Sequence, residues 1–315
     1  MKSTNHEIEH VVQPVFALWK FTGLPIYKLA SHSNAKKTKF VNTDPKTVFP
    51  AVLLHSCLFL LCSTNTISEI TDSAIVDDLM NLIELALFFV QNVGILIVCH
   101  FKRRQILRIF EQLKLSENYV KKLKKSCCVG GVKKAVLKLA VMKYSFIVVV
   151  FAAFSINVPD DLVNLSAYFC SWGFHYHLEL LIVTYLLILK NQYKEVNQFL
   201  LNEKLKLDHA KIKAVISLHR VLRNTCKLIK NTFQSLILIK VITDSIVTST
   251  AVFYVLRVYQ LLPESFLLST VTNLLFFMLM AVSSFTVAFV FHNLVEEVDT
   301  SLQILILLIR VTLSG

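Results

Sequence analysis

The chain has 315 residues, of which 55% are hydrophobic and 17% charged, with a net charge of +12 and a mean hydropathy of +0.59. That is more apolar than a soluble domain, where the hydrophobic share is about 45–50%. Most of the 33 Lys and Arg residues lie in particular loops, a distribution that reads as membrane topology and sets nucleic acid aside as a partner.

The pattern predicts an all-α fold, a polytopic transmembrane helix bundle with helical extensions on one side. Residues 1–46 form an N-terminal segment. Within it Val11 to Lys28 is apolar but broken by Pro14, Gly23 and Pro25, and Trp19, Lys20 and Tyr27 suit a short helix lying along the bilayer interface. Residues 31–44 are polar and are expected to be a loose linker.

A bundle follows over 47–291, with six spans expected at 47–63, 78–99, 139–158, 162–189, 232–258 and 265–291, each an apolar stretch long enough to cross hydrocarbon. The loops alternate in charge. Residues before the first span carry seven lysines, whereas the next loop has only Glu69, Asp72 and Asp77. Lys102, Arg103, Arg104, Arg108, Lys114 and seven further lysines crowd between the second and third spans, and a loop with only Asp160 and Asp161 comes after. By the positive-inside rule the N-terminus is cytosolic. No cleavable leader is visible, so the first span is expected to target the chain. The basic run 121–134, with Gly130 and Gly131, reads as a flexible turn touching anionic headgroups.

The fourth span continues past Leu189 into Lys190-Asn-Gln-Tyr-Lys-Glu-Val-Asn with no Pro or Gly to stop it. The segment 190–231 is therefore expected to be two helical arms in the cytosol, turning near residues 202–208. Val215, Leu218, Leu222 and Ile229 fall on one face. Such a stripe, together with Leu302, suggests arms that pack against copies or neighbours. Residues 292–315 read as a third, descending helix.

Charged residues inside spans are costly and single out Glu84, Lys143, Glu179, Lys240 and Asp244. Lys240 and Asp244, four apart, are placed to neutralise each other, and Lys143 is placed to snorkel. His175 lies one turn from Glu179. His175 and His177, two apart, point to nearly opposite sides of a helix and do not make a metal site. The seven cysteines show no ligand spacing. No phosphate loop, nucleophile elbow or catalytic acid pair appears, so neither an enzyme nor a cofactor or metal is expected.

The aromatic supply is large, with 23 Phe, 9 Tyr and 2 Trp. Tyr168, Trp172, His175, Glu179, Thr248, Phe253, Tyr254, Asn273 and Phe276 gather aromatic surface with a few polar groups at similar depth in three spans. They describe a candidate small-molecule pocket, and equally packed helices whose hydroxyls bond their own backbone.

Several segments together resemble the insect gustatory receptor family, relatives of the insect odorant receptors. They are Gln13-Pro-Val-Phe-Ala-Leu-Trp-Lys-Phe-Thr-Gly-Leu-Pro25, Thr184 to Asn197 running out of the fourth span, Leu218-His-Arg-Val-Leu222 with Asn231-Thr-Phe233, and Glu296–Glu297. The resemblance implies a plasma-membrane, multi-pass taste receptor subunit. Such a subunit is a ligand-gated non-selective cation channel that assembles as a homo- or hetero-tetramer and binds a small-molecule tastant. It also implies a seventh, pore-lining span with a Thr-Tyr, five residues, Gln-Phe signature. Thr184-Tyr185 only approaches that pattern, since Gln192 comes one residue late and Tyr193 replaces Phe. With Gly315 reached before a seventh span, the chain on its own is expected to lack a pore. The alternatives are a six-span transporter subunit, for which no internal repeat is seen, and a non-conducting membrane scaffold.

Overall fold

A computed structural model describes residues 7–21, 27–31, 38–42, 48–68, 75–124, 130–157, 162–202, 209–261 and 266–314. The elements are α1 (Glu7–Phe21), β1 (Tyr27–Ser31), β2 (Thr38–Asn42), α2 (Val48–Ser68), α3 (Ile75–Phe101), α4 (Arg103–Lys124), α5 (Gly130–Asn157), α6 (Leu162–Asn202), α7 (His209–Leu261) and α8 (Phe266–Ser314). Five of the helices, α3 and α5 to α8, are long and apolar enough to cross a membrane, and α2 has a shorter apolar stretch, Val52–Thr64. Helices satisfy every interior backbone N–H and C=O within one segment, which hydrocarbon requires.

The helix α6 is the axis of the bundle. At 41 residues it is about 60 Å long, twice the ~30 Å of hydrocarbon. Its side chains from Leu178 to Leu189 are buried almost without a break, Leu181, Val183, Tyr185 and Leu189 completely. By contrast α5, α7 and α8 turn Val148, Ile156, Leu238, Ile242, Phe285 and Phe289 outward. In a spanning helix such residues are left to lipid or to a neighbouring helix. The helices α6, α7 and α8 have 41, 53 and 49 residues, each longer than the roughly 20 residues one crossing needs, and α6 runs on past Leu189 as its lack of a helix breaker implies. The turn expected at 202–208 falls on residues 203–208, outside the described ones.

Four sequence expectations change. The amino-terminal helix does not simply float at the interface: Ile8, Val11, Val12, Val15 and Phe16 are buried in the main core with α4 and α6. Charged groups fasten it as well. Glu9 pairs with Lys114, and Glu117 accepts the Glu7 backbone N–H at 3.0 Å while Lys121 lies 2.6 Å from it. A helix N-terminus presents unpaired N–H groups, so a buried carboxylate there is well placed.

Secondly, β2 lies within the expected linker and pairs antiparallel with β1 just before it, Tyr27 opposite Asn42 and Ser31 opposite Thr38. Thirdly, the basic run 121–134 is largely helix, α4 running to Lys124 and α5 beginning at Gly130; residues 125–129 lie outside the described ones.

Fourthly, of the two partners expected for the stripe, copies or neighbours, neighbours within the chain cover Val215, Leu218 and Leu222, which are 0–1% exposed, whereas Leu302 is 46% exposed. The stripe on α7 is covered by α4 and α6, whose Ile106, Ile109, Phe110, Leu113, Tyr193 and Val196 belong to the same cluster. Polar ties reinforce the layer: Ser116 donates to Gln192 at 2.7 Å, Gln192 to the Leu113 carbonyl at 3.0 Å, and Lys102 to the Asn231 and Thr232 carbonyls at 2.9 and 3.0 Å. Lys102 thus marks the basic end of the bundle.

Candidate aromatic site and its charged floor

The half of the bundle away from the basic end has its own cluster, formed by Phe88 of α3, Val150 of α5, Trp172 and Tyr176 of α6, Val247 and Ala251 of α7, and Phe276, Leu279 and Met280 of α8. The Trp172 indole is its centre. It stacks on Phe276 with centroids 4.5 Å apart and planes 20° from parallel. It also meets Phe169 edge-on at 4.7 Å and Phe88 at 6.2 Å. Phe154 closes on Phe276 at 6.3 Å. Aromatic pairs of this kind contribute ~0.5–1.5 kcal/mol each beyond burial.

Below the rings the interior turns polar. Trp172 Nε1 and Gln91 Oε1 are buried and make no hydrogen bond. Both side chains border a void of about 10 Å³ that Phe88, His175, Tyr176, Lys240, Asp244 and Met280 also line. That is room for a single water-sized group. An unpaired indole N–H and an unpaired amide oxygen bordering so small a space suit a hydroxyl or a water, because each both accepts and donates.

Next comes a floor of charge. Glu179, 2% exposed, pairs with Lys143, 4% exposed, and accepts a hydrogen bond from Ser283. Lys240 pairs with Asp244, which accepts from Ser284 at 2.9 Å. Adjacent serines on α8 thereby bridge two ion pairs, one joining α5 to α6 and one on α7. The Lys143 ammonium also lies 5.2 Å from the centre of the Tyr176 ring. The Lys240–Asp244 pairing follows its four-residue spacing. Lys143 does not snorkel, because Glu179 and Tyr176 hold its ammonium inside the bundle. Glu84 of α3 lies near Thr250 of α7, and the other four charged residues singled out within spans form the two ion pairs.

Of the candidate pocket residues, Trp172, His175 and Phe276 come together, with the His175 ring 6.4 Å from Phe88. Glu179 belongs to the floor. Phe253 and Tyr254 pack on each other at 5.9 Å, and neither they, Thr248 nor Asn273 belongs to the buried cluster or borders the void. The Tyr168 side chain lies outside the described residues. His177 faces away from His175, bonding Tyr144 at 3.0 Å. Phe88 and Gln91 were missed. Gln91-Asn92 is the one amide pair interrupting an apolar span, both residues buried at 1–2% exposure, and that interruption was the available signal.

A profile of the family described as 7tm chemosensory receptor matches residues 12–314. The chain belongs to that family. Among solved structures this chemosensory receptor is similar to the insect olfactory receptor OR5 from Machilis hrabei. The identity is 12% and the TM-score 0.57, with 92% of this chain and 81% of that one covered, a likeness of fold. Comparison with curated proteins gave no match. The receptor is accordingly a multi-pass protein of the plasma membrane, and its central helix, aromatic cluster and charged floor belong to a chemosensory fold.

Proposed function

We propose that this receptor is a gustatory subunit of a ligand-gated, non-selective cation channel, with the basic end in the cytosol and a small-molecule tastant recognised at the Trp172 cluster. The observation that carries the reading is the conjunction of stacked aromatic faces with an unpaired Trp172 N–H and Gln91 carbonyl at a buried void. Aromatic walls with a few placed polar groups are what a small apolar ligand needs. A ligand that parts the Trp172–Phe276 stack changes the spacing of α6 and α8 directly above the serines that join the two ion pairs. Recognition and helix movement therefore share one set of contacts. Assembly as a homo- or hetero-tetramer supplies the several helices a conduction path requires. The Lys and Arg concentration at one end supports the cytosolic assignment.

The experiment is calcium imaging of cells expressing the receptor with a co-expressed family member, challenged with a tastant panel. Trp172→Ala, Phe276→Ala and Gln91→Leu are expected to shift half-maximal concentrations at least tenfold at equal surface expression. Unchanged dose–response curves in all three would remove the cluster from recognition.

A further inference from the structure

A larger cavity lies elsewhere among the described residues. A groove of about 530 Å³ runs between α7 and α8 with α6 and Ile95 of α3 as its floor. One end is at Lys230 and Phe291, the other at Lys240, Glu179 and Ser284. Its walls are almost wholly apolar, Leu178, Ile182, Leu186, Ile237 and Val287 among them. The charged groups at its closed end are spent on their own pairs, Glu179 with Lys143 and Lys240 with Asp244. From Lys230 to Lys240 is ten residues of helix, about 15 Å, which is half the ~30 Å of a bilayer's hydrocarbon.

We infer that this groove holds one acyl chain of an anionic phospholipid from the leaflet at the basic end. Length, wall chemistry and charge agree on that occupant. The groove has the length of one leaflet and opens sideways along Leu238 and Val241, both at least half exposed on the outer side of α7. Its mouth carries Lys230, with the exposed Lys227 one turn before it on the same face. Lys102, bonded to the Asn231 carbonyl beside it, brings the basic end of α3 to the same level. On α8 the first carboxylate past the groove, Glu296, lies 3.5 Å from its neighbour His292. A phosphatidylserine headgroup meets cations there, while its chain replaces water or a second lipid against the apolar walls. A lipid so placed touches the side of the charged floor opposite the aromatic cluster, and its binding does not depend on the tastant reading.

Native mass spectrometry of the full 315-residue chain, loaded with palmitoyl-oleoyl phosphatidylserine or phosphatidylcholine, tests this. The wild type is expected to retain phosphatidylserine severalfold better. Lys230→Gln is expected to cut that preference about fivefold, the worth of one cation near an anionic surface. Ala288→Phe and Val241→Trp, which fill the groove, are expected to lower retention of both lipids. Lys230 is exposed, so its replacement leaves folding intact and isolates the headgroup contact from the chain contact. Equal retention of the two lipids, or a preference unmoved by Lys230→Gln, overturns the inference. So does efficient cross-linking of two copies through Val241→Cys in phosphatidylserine vesicles, which would make a second copy the occupant.

Discussion

Replacing Glu179 by Leu removes one partner of an ion pair whose members are 2% and 4% exposed. The Lys143 ammonium then lies inside the bundle with no carboxylate paired to it, beside the Tyr176 ring face 5.2 Å away, and Ser283 loses its acceptor. Breaking a buried pair in this way costs about 3–5 kcal/mol, whereas replacing both members by apolar groups of similar volume is often neutral or stabilising. The perturbation therefore predicts a strongly non-additive cycle. Glu179→Leu and Lys143→Met each lower thermal stability markedly, and the double variant recovers most of the loss. Nanoscale fluorescence unfolding of the purified receptor in one detergent reads all four proteins. If the double variant is as unstable as the sum of the singles, the pair is not a closed electrostatic unit and the charged floor has been misread.

Three further outcomes follow from the geometry. Leu218→Ala and Leu222→Asp are expected to destabilise the single chain, the former by about 2–5 kcal/mol, because both residues are 0% exposed within it. Loss of oligomer with unchanged monomer stability would instead return them to an interface between copies. Gln192→Leu removes its ties to the Ser116 hydroxyl and the Leu113 carbonyl; Ser116 keeps the Leu113 carbonyl as acceptor at 2.8 Å, so the expected cost is about 0.5–1.5 kcal/mol per lost bond, measured as earlier proteolysis of the basic end; an unaltered cleavage profile contradicts it. Tags at Met1 and within residues 69–77 are expected on opposite sides of the membrane, the former cytosolic, by protease protection in microsomes.

The membrane character of this chain and the helical arms beyond it are legible without coordinates. Hydrocarbon imposes a length and an apolar content on each crossing, and the missing helix breaker after Leu189 lets the helix continue into water. The Lys240–Asp244 pair is legible for the same reason, since four residues on one helix fix proximity locally. The candidate site was only partly visible: Trp172, His175 and Phe276 could be gathered by depth, but depth says nothing about rotation.

What the sequence alone determined is whatever depends on distance along one helix: spans, arms, the local ion pair and the face shared by Val215, Leu218 and Leu222. Only the tertiary structure decided which helix each face meets. It turned the α7 stripe inward onto α4 and α6, brought Gln91 and Trp172 to one void, and left Phe253 and Tyr254 out of the buried aromatic cluster. It also joined Lys143 to a carboxylate 36 residues away. A single helix's pattern specifies an apolar face but not its partner, and in lipid many neighbours and the solvent itself satisfy that face equally. The choice among them rests on packing and on buried charges finding each other, which are properties of the assembled bundle.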